Sequence, residues 1–230
     1  MSEDFKSTNL YNFVFEGDGD ATIFKHYYEN ILKNTERPFD LSGTSFYQGG
    51  KCSDIRKYFN QSPIQLGTKW ILILDKDKPA NDLKSFMEAK YDDYLNKDVF
   101  VFQYNTEKVS SEEFEMEDIL PLSMLTDTYV ETSESFTDSL DQKLLKPLIN
   151  GKTSFSVYNE KVLNTYYKES KEEFKAKFKE LLNQKIRIAL DNIKNESEFD
   201  SKFPEYHKWV KKIISSINEL VKKKKAVSSP

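Results

Sequence analysis

Carboxylates recur in this chain just where a strand pattern runs out. Glu16 closes the apolar part of FVFEGDGD, Gly17 and Gly19 permit a tight turn, and Asp20 follows four residues after Glu16. Acids one helical turn apart can converge on one cation. Asp75 and Asp77 end the stretch WILILDKDKP, on one side of an extended segment because side chains at i and i+2 share a face. A third cluster, FEMEDILPLSML, carries Glu115, Glu117 and Asp118. A few carboxylates from different loops are the hard-oxygen donor set that magnesium takes, alongside the waters it keeps. Each cluster also has an ordinary reading, as a solvated turn or as acids complementing a helix dipole. Their coincidence at strand ends is what points to metal chemistry.

The elements that must place these acids alternate. Tyr11 to Phe15, Thr44 to Tyr47, WILIL and Val99 to Tyr104 are strand-like. WILIL is read as buried on both faces because it does not alternate. Between the strands, ATIFKHYYENILKN, CSDIRKYFN and NDLKSFMEAKYDDYL carry apolar residues at helical spacing, with Ser53 a candidate cap and Pro79 ahead of the third helix. Strand and helix in alternation predict an α/β fold, a mainly parallel four-stranded sheet flanked by helices. In such sheets ligands collect at the carboxyl ends of the strands, where Glu16 and Asp75 stand. Further on, segments such as KEEFKAKFKELLNQKIRIALDNI and EYHKWVKKIISSINELVKKKK predict a C-terminal helical extension, with the final KKKKAVSSP frayed. The expected division is residues 1–127 for the sheet and 128–230 for a helical, Lys-rich extension.

Composition narrows the function. The 230 residues carry a net charge of −4, but residues 160–230 hold 17 basic against 11 acidic side chains, while residues 1–159 hold 17 against 27. An acidic front and a basic back suit a protein that gathers cations in one region and touches polyanions with another. One cysteine, Cys52, rules out an intrachain disulfide and any multi-thiolate zinc site. His26 and His207, far apart and outside any H-E-x-x-H context, speak against a zinc hydrolase. No apolar run reaches the roughly 20 residues of a membrane span, and the polar N-terminus resembles no targeting peptide, so a cytoplasmic location is expected.

Two familiar motifs fail at named positions. An EF-hand loop from Asp75 needs glycine where Ala80 stands and a carboxylate where Phe86 stands. GKTS at 151–154 lacks the leading glycine of a P-loop, since Lys146 occupies that place. A haloacid-dehalogenase-type phosphatase also follows a hydrophobic strand with Asp-x-Asp. That family commonly has Thr or Val where this chain has Pro79, and places its motif near the N-terminus.

The Phe15-Glu16-Gly17 stretch together with Asp75-Lys76-Asp77 resembles the Toprim domain of topoisomerases, bacterial primases and OLD-family nucleases, over about residues 10 to 125. Within that superfamily the chain is most similar to OLD and Gabija-like nucleases. Phe15, Glu16, Gly17 and Asp20 correspond to their Val-Glu-Gly-x-x-Asp motif, Gly49-Gly50 to a glycine pair before the second helix, and Glu117-Asp118 to a late acidic motif. The resemblance implies a Rossmann-like sheet and a Mg or Mn site of Glu16, Asp20, Asp75, Asp77 and Glu117. It implies a catalytic lysine in the helical half, for which Lys171 is nominated. The OLD-type ATPase domain is missing from these residues, so a separate ATPase subunit, or a fragment of a fusion, is implied.

The function expected is a metal-dependent endonuclease acting on DNA, or on RNA, as the effector of an antiviral defence system under a separate ATPase. Homo-oligomers stay open. Two alternatives remain: a phosphatase using Asp75 as nucleophile and Asp77 as general acid, and a non-catalytic Toprim-like interaction subunit with an aromatic-rich docking surface.

Overall fold

A computed structural model describes residues 10–61, 67–95, 97–104, 114–136 and 154–227. It divides the chain into two compact units. One comprises residues 1–104 with 208–230, the other residues 105–207. The cut after Tyr104 groups residues 105–127 with the helices rather than with the sheet, and the chain's last helix contributes its residues from Lys208 onward to the sheet-bearing unit.

That unit is built on four parallel strands: β1 (Tyr11–Phe15), β2 (Thr44–Gln48), β3 (Lys69–Leu74) and β4 (Val99–Gln103), in the order β2-β1-β3-β4. The predicted α/β class and the four strand positions are observed. Helices α1 (Asp18–His26), α2 (Cys52–Gln61) and α3 (Lys78–Lys90) form the crossovers. Side chains of β1 alternate faces as the strand period requires. Phe13 and Phe15 meet Phe24 of α1, at ring separations of 5.1 and 5.2 Å, while Val14 joins Ile55 and Phe59 of α2 and Leu83 and Met87 of α3 in one core. The sheet is therefore covered on both faces, and β3 reads as a continuous apolar run because both faces are buried. Trp70, Leu72 and Leu74 point to the α2–α3 core, and Ile71 and Ile73 are also buried.

Three local expectations are corrected. Helix α1 does not run on to residue 34: it passes into a π-turn, Tyr27–Ile31, and stops at Leu32. Ser53 is no cap, because the helix already includes Cys52 and the Lys51 carbonyl accepts from Asp54 and Ile55 N–H. Pro79 lies inside the first turn of α3, where its missing N–H costs nothing. Gly50 takes φ +77° in the turn before α2, and a Cβ on Gly49 would stand 2.7 Å from Ile55 Cγ1 and 2.9 Å from Val14.

The second unit is helical: α4 (Leu122–Glu134), α5 (Phe155–Tyr166), α6 (Lys171–Asp191) and α7 (Glu196–Lys202), with an aromatic core in which Tyr129 lies 5.3 Å from Phe174 and 5.5 Å from Phe178. Helix α8 (Pro204–Val227) takes in residues 222–227 of the stretch expected to fray, and residues 228–230 lie outside the described residues. The GKTS residues 151–153 lie outside the described residues. No described helix is long and apolar enough to cross a membrane.

Candidate metal centre at the sheet edge

The strand order creates a topological switch point. From β1 the chain leaves toward β2 by a helix on one face, and from its neighbour β3 toward β4 by a helix on the other. Where adjacent parallel strands send their crossovers to opposite faces, a crevice opens beyond their carboxyl ends. Glu16 follows β1 and Asp75 follows β3 at that crevice. Their register is in step: Phe15 pairs with Ile73, and the Asp75 N–H donates to Glu16 Oε1 at 3.0 Å. The flanking strands end level with them, as Gly49 N–H donates to the Phe15 carbonyl and Tyr104 N–H to the Leu74 carbonyl.

Glu16 is half-buried, and burial pushes its carboxyl up to about 7. Hydrogen bonds from the Cys52 thiol and the Asp75 N–H hold it down, while the charges of Asp77 and Asp20 push it further up. The Cys52 thiol is itself raised by burial and by the charges of Glu16, Asp77 and Asp75, so it is a neutral donor, not a reactive thiolate. Asp20 is buried, 5% exposed, and each of its oxygens has a donor: Gly17 N–H to Oδ2 at 2.9 Å and the Tyr104 hydroxyl to Oδ1 at 3.1 Å. Asp77 caps α3, its Oδ1 accepting from Ala80 N–H at 2.8 Å. Gln103 binds the Asp75 carbonyl at 3.1 Å and Asn81 Oδ1 at 2.9 Å, tying β4 to the loop that carries both aspartates.

Glu16, Asp20, Asp75 and Asp77 thus belong to one electrostatic neighbourhood. Among the described residues, however, no group of three or more His, Cys, Asp or Glu side chains is assembled as a ready cage for a metal ion. The donor chemistry nevertheless fits magnesium or manganese. Such ions are held by one or two carboxylates with water and substrate phosphate supplying the rest, and Glu16 is a carboxyl raised first by burial and then by the charges of Asp77 and Asp20 beside it.

The other nominated residues stand in the helical unit. Glu117 is buried in a 3₁₀ turn, Met116–Ile119. Its neighbour Asp118 is engaged with the backbone, since its oxygens accept from Glu115 N–H at 3.0 Å and Phe155 N–H at 2.6 Å, and burial raises its carboxyl. Lys171 opens α6 and pairs with Glu160 at 2.6 Å, an acid held low by Lys171 and Lys175. Both ring nitrogens of His207 face carboxylates, Asp200 at 2.7 Å and Glu196 at 3.1 Å. A cleft of about 1100 Å³ between α4, α6 and α7 contains none of the nominated acids. A second, of about 650 Å³, runs beside α1 and the end of β2.

Reasoning from sequence missed three residues at the edge. Cys52, counted only as a lone thiol, Gln103 and Tyr104 all reach the acids through pairings that the strand order sets. The one available signal was that each flanks a predicted strand or helix end. No family model, curated protein or solved structure matches the chain.

Proposed function

We propose that the sheet-bearing unit is a Toprim-like, Mg- or Mn-dependent nuclease that hydrolyses phosphodiester bonds of DNA. The observation that carries the reading is the meeting of Glu16 and Asp75 at the switch point, with Asp20 and Asp77 bearing on the same carboxyl. Glu16 and Asp75 would hold the ion, with Asp20 and Asp77 adding charge and, through water, further donors. Bound there, the ion supplies charge stabilisation at the phosphate and activation of water. The residues around it do the rest. Asp75 N–H and the Cys52 thiol orient Glu16, and the cap on α3 fixes the loop between Asp75 and Asp77. With Glu16 held near 7, its proton comes off close to neutral pH, so loading by a cation competes with protonation rather than with a second fixed charge.

The resemblance, not the geometry, carries three further parts of the proposal: Glu117 as a further metal ligand, Lys171 as a cation at the phosphate, and a separate ATPase controlling the protein in antiviral defence. Binding of the DNA backbone by the basic residues of 160–230 would give affinity that falls with salt.

The test is cleavage of plasmid DNA by the purified chain, alone and with any ATPase encoded beside it. Activity should require Mg or Mn and fall at least about 100-fold in Glu16→Ala and Asp75→Ala. Undiminished cutting by these variants sinks the mechanism. Release of phosphate from small esters without nuclease activity would favour the phosphatase instead.

A further inference from the structure

We infer that Tyr104 is a positioning residue of this site: its hydroxyl aims Asp20 toward the acids at the ends of β1 and β3. The inference rests on the metal-centre reading above and adds a residue that lies outside every acidic motif. Tyr104 is 1% exposed, just beyond β4, and its hydroxyl donates to Asp20 Oδ1 at 3.1 Å. The second oxygen of Asp20 is fixed by Gly17 N–H, so the carboxylate is locked in one orientation by two donors. A carboxylate has about four lone-pair sites, so accepting from these donors and serving a cation or its water are compatible roles for one group. The ring that delivers the hydroxyl is itself held. Trp209 of α8 lies on Tyr104 with centroids 4.4 Å apart and planes at 31°, and it touches Phe24 of α1 edge-on at 6.5 Å. Farther along α8, Asn218 donates to the Glu36 carbonyl at 2.9 Å. A tyrosine serving only to fill the core needs its ring; the direction of the hydroxyl is the part that serves Asp20.

Tyr104→Phe separates the two roles, since it keeps the ring on Trp209 and removes only the donor. Manganese binding to the full chain is measured by calorimetry for the parent, Tyr104→Phe, Asp20→Asn and the double variant, with folding followed by tryptophan fluorescence. Groups that orient metal ligands typically change affinity 10- to 100-fold. We expect Tyr104→Phe to weaken manganese binding about 10-fold with folding retained, and to cost nothing further in the Asp20→Asn background. Parent-like binding by Tyr104→Phe, or an equal loss in both backgrounds, overturns the inference while leaving the metal centre standing. If Glu16→Ala and Asp75→Ala bind manganese as the parent does, or the parent binds none, the metal-centre reading falls and this inference with it.

Discussion

Replacing Glu16 by Gln should stabilise the protein at alkaline pH and do nothing at acid pH. In the unfolded chain the Glu16 proton leaves near 4.5, whereas in the folded protein burial keeps it on until about 7. Between these values the folded state holds one more proton, so stability falls as pH rises; the contribution is whole below 4.5 and gone above about 7. At about 1.4 kcal/mol per pH unit, the shift corresponds to about 3 kcal/mol, which solvent screening of a half-buried carboxyl reduces toward about 2. Gln cannot ionise, and its oxygen can still accept from Asp75 N–H, so Glu16→Gln should exceed the parent by about 2–3 kcal/mol at pH 8 and match it at pH 4. Urea unfolding in EDTA, read by tryptophan fluorescence, measures this in the right place, because Trp70 and Trp209 both belong to the sheet-bearing unit. Magnesium at pH 8 should then narrow the gap by stabilising only the parent. A gap that does not change with pH, or a parent more stable than the variant at pH 8, refutes the burial argument.

Other outcomes follow from single contacts. Asp77→Ala should cost about 1 kcal/mol by uncapping α3, and Asp77→Asn should recover most of that stability, while both reduce metal binding. Gly49→Ala should destabilise by about 1–3 kcal/mol in thermal melts, since its Cβ meets Ile55 and Val14 inside van der Waals distance. Asp118→Ala strips the acceptor from two N–H groups and should cost about 3 kcal/mol, seen as early melting of the helical unit by circular dichroism. Lys171→Ala loses a partly exposed ion pair and should shift stability by less than about 1 kcal/mol, so any large fall in cleavage would report chemistry rather than folding.

What was legible follows from what is local. Alternation and apolar runs located β1 to β4, and Gly17 and Pro79 marked helix starts correctly to within a turn, because strand period and turn chemistry are written in neighbouring residues. The closeness of Glu16 to Asp75 was accessible from the expectation of a parallel sheet, although only the order β2-β1-β3-β4 places the switch point between their strands. The donors around them were not legible. Cys52, Gln103 and Tyr104 act across 36, 28 and 84 residues of sequence, on Glu16, Asp75 and Asp20 respectively, and no local pattern encodes a pairing at that range. Asp118 shows the converse: beside Glu117 it looked like part of a metal motif, yet its oxygens satisfy the backbone at the start of α5.

The return of α8 to the first unit makes the helical unit an insertion between Tyr104 and Lys208, and this sets an order of events during synthesis. Tyr104 leaves the ribosome roughly 100 residues before Trp209, a lag of about 5–20 s at ordinary elongation rates, and Asp20 leaves earlier still. During that lag the Tyr104 ring lacks the indole that lies on it, and the inserted helices have time to form as a unit of their own. Closure of Trp209 over Tyr104 is thereby deferred until the insertion has been made, so a ribosome that stalls inside the insertion leaves that ring uncovered.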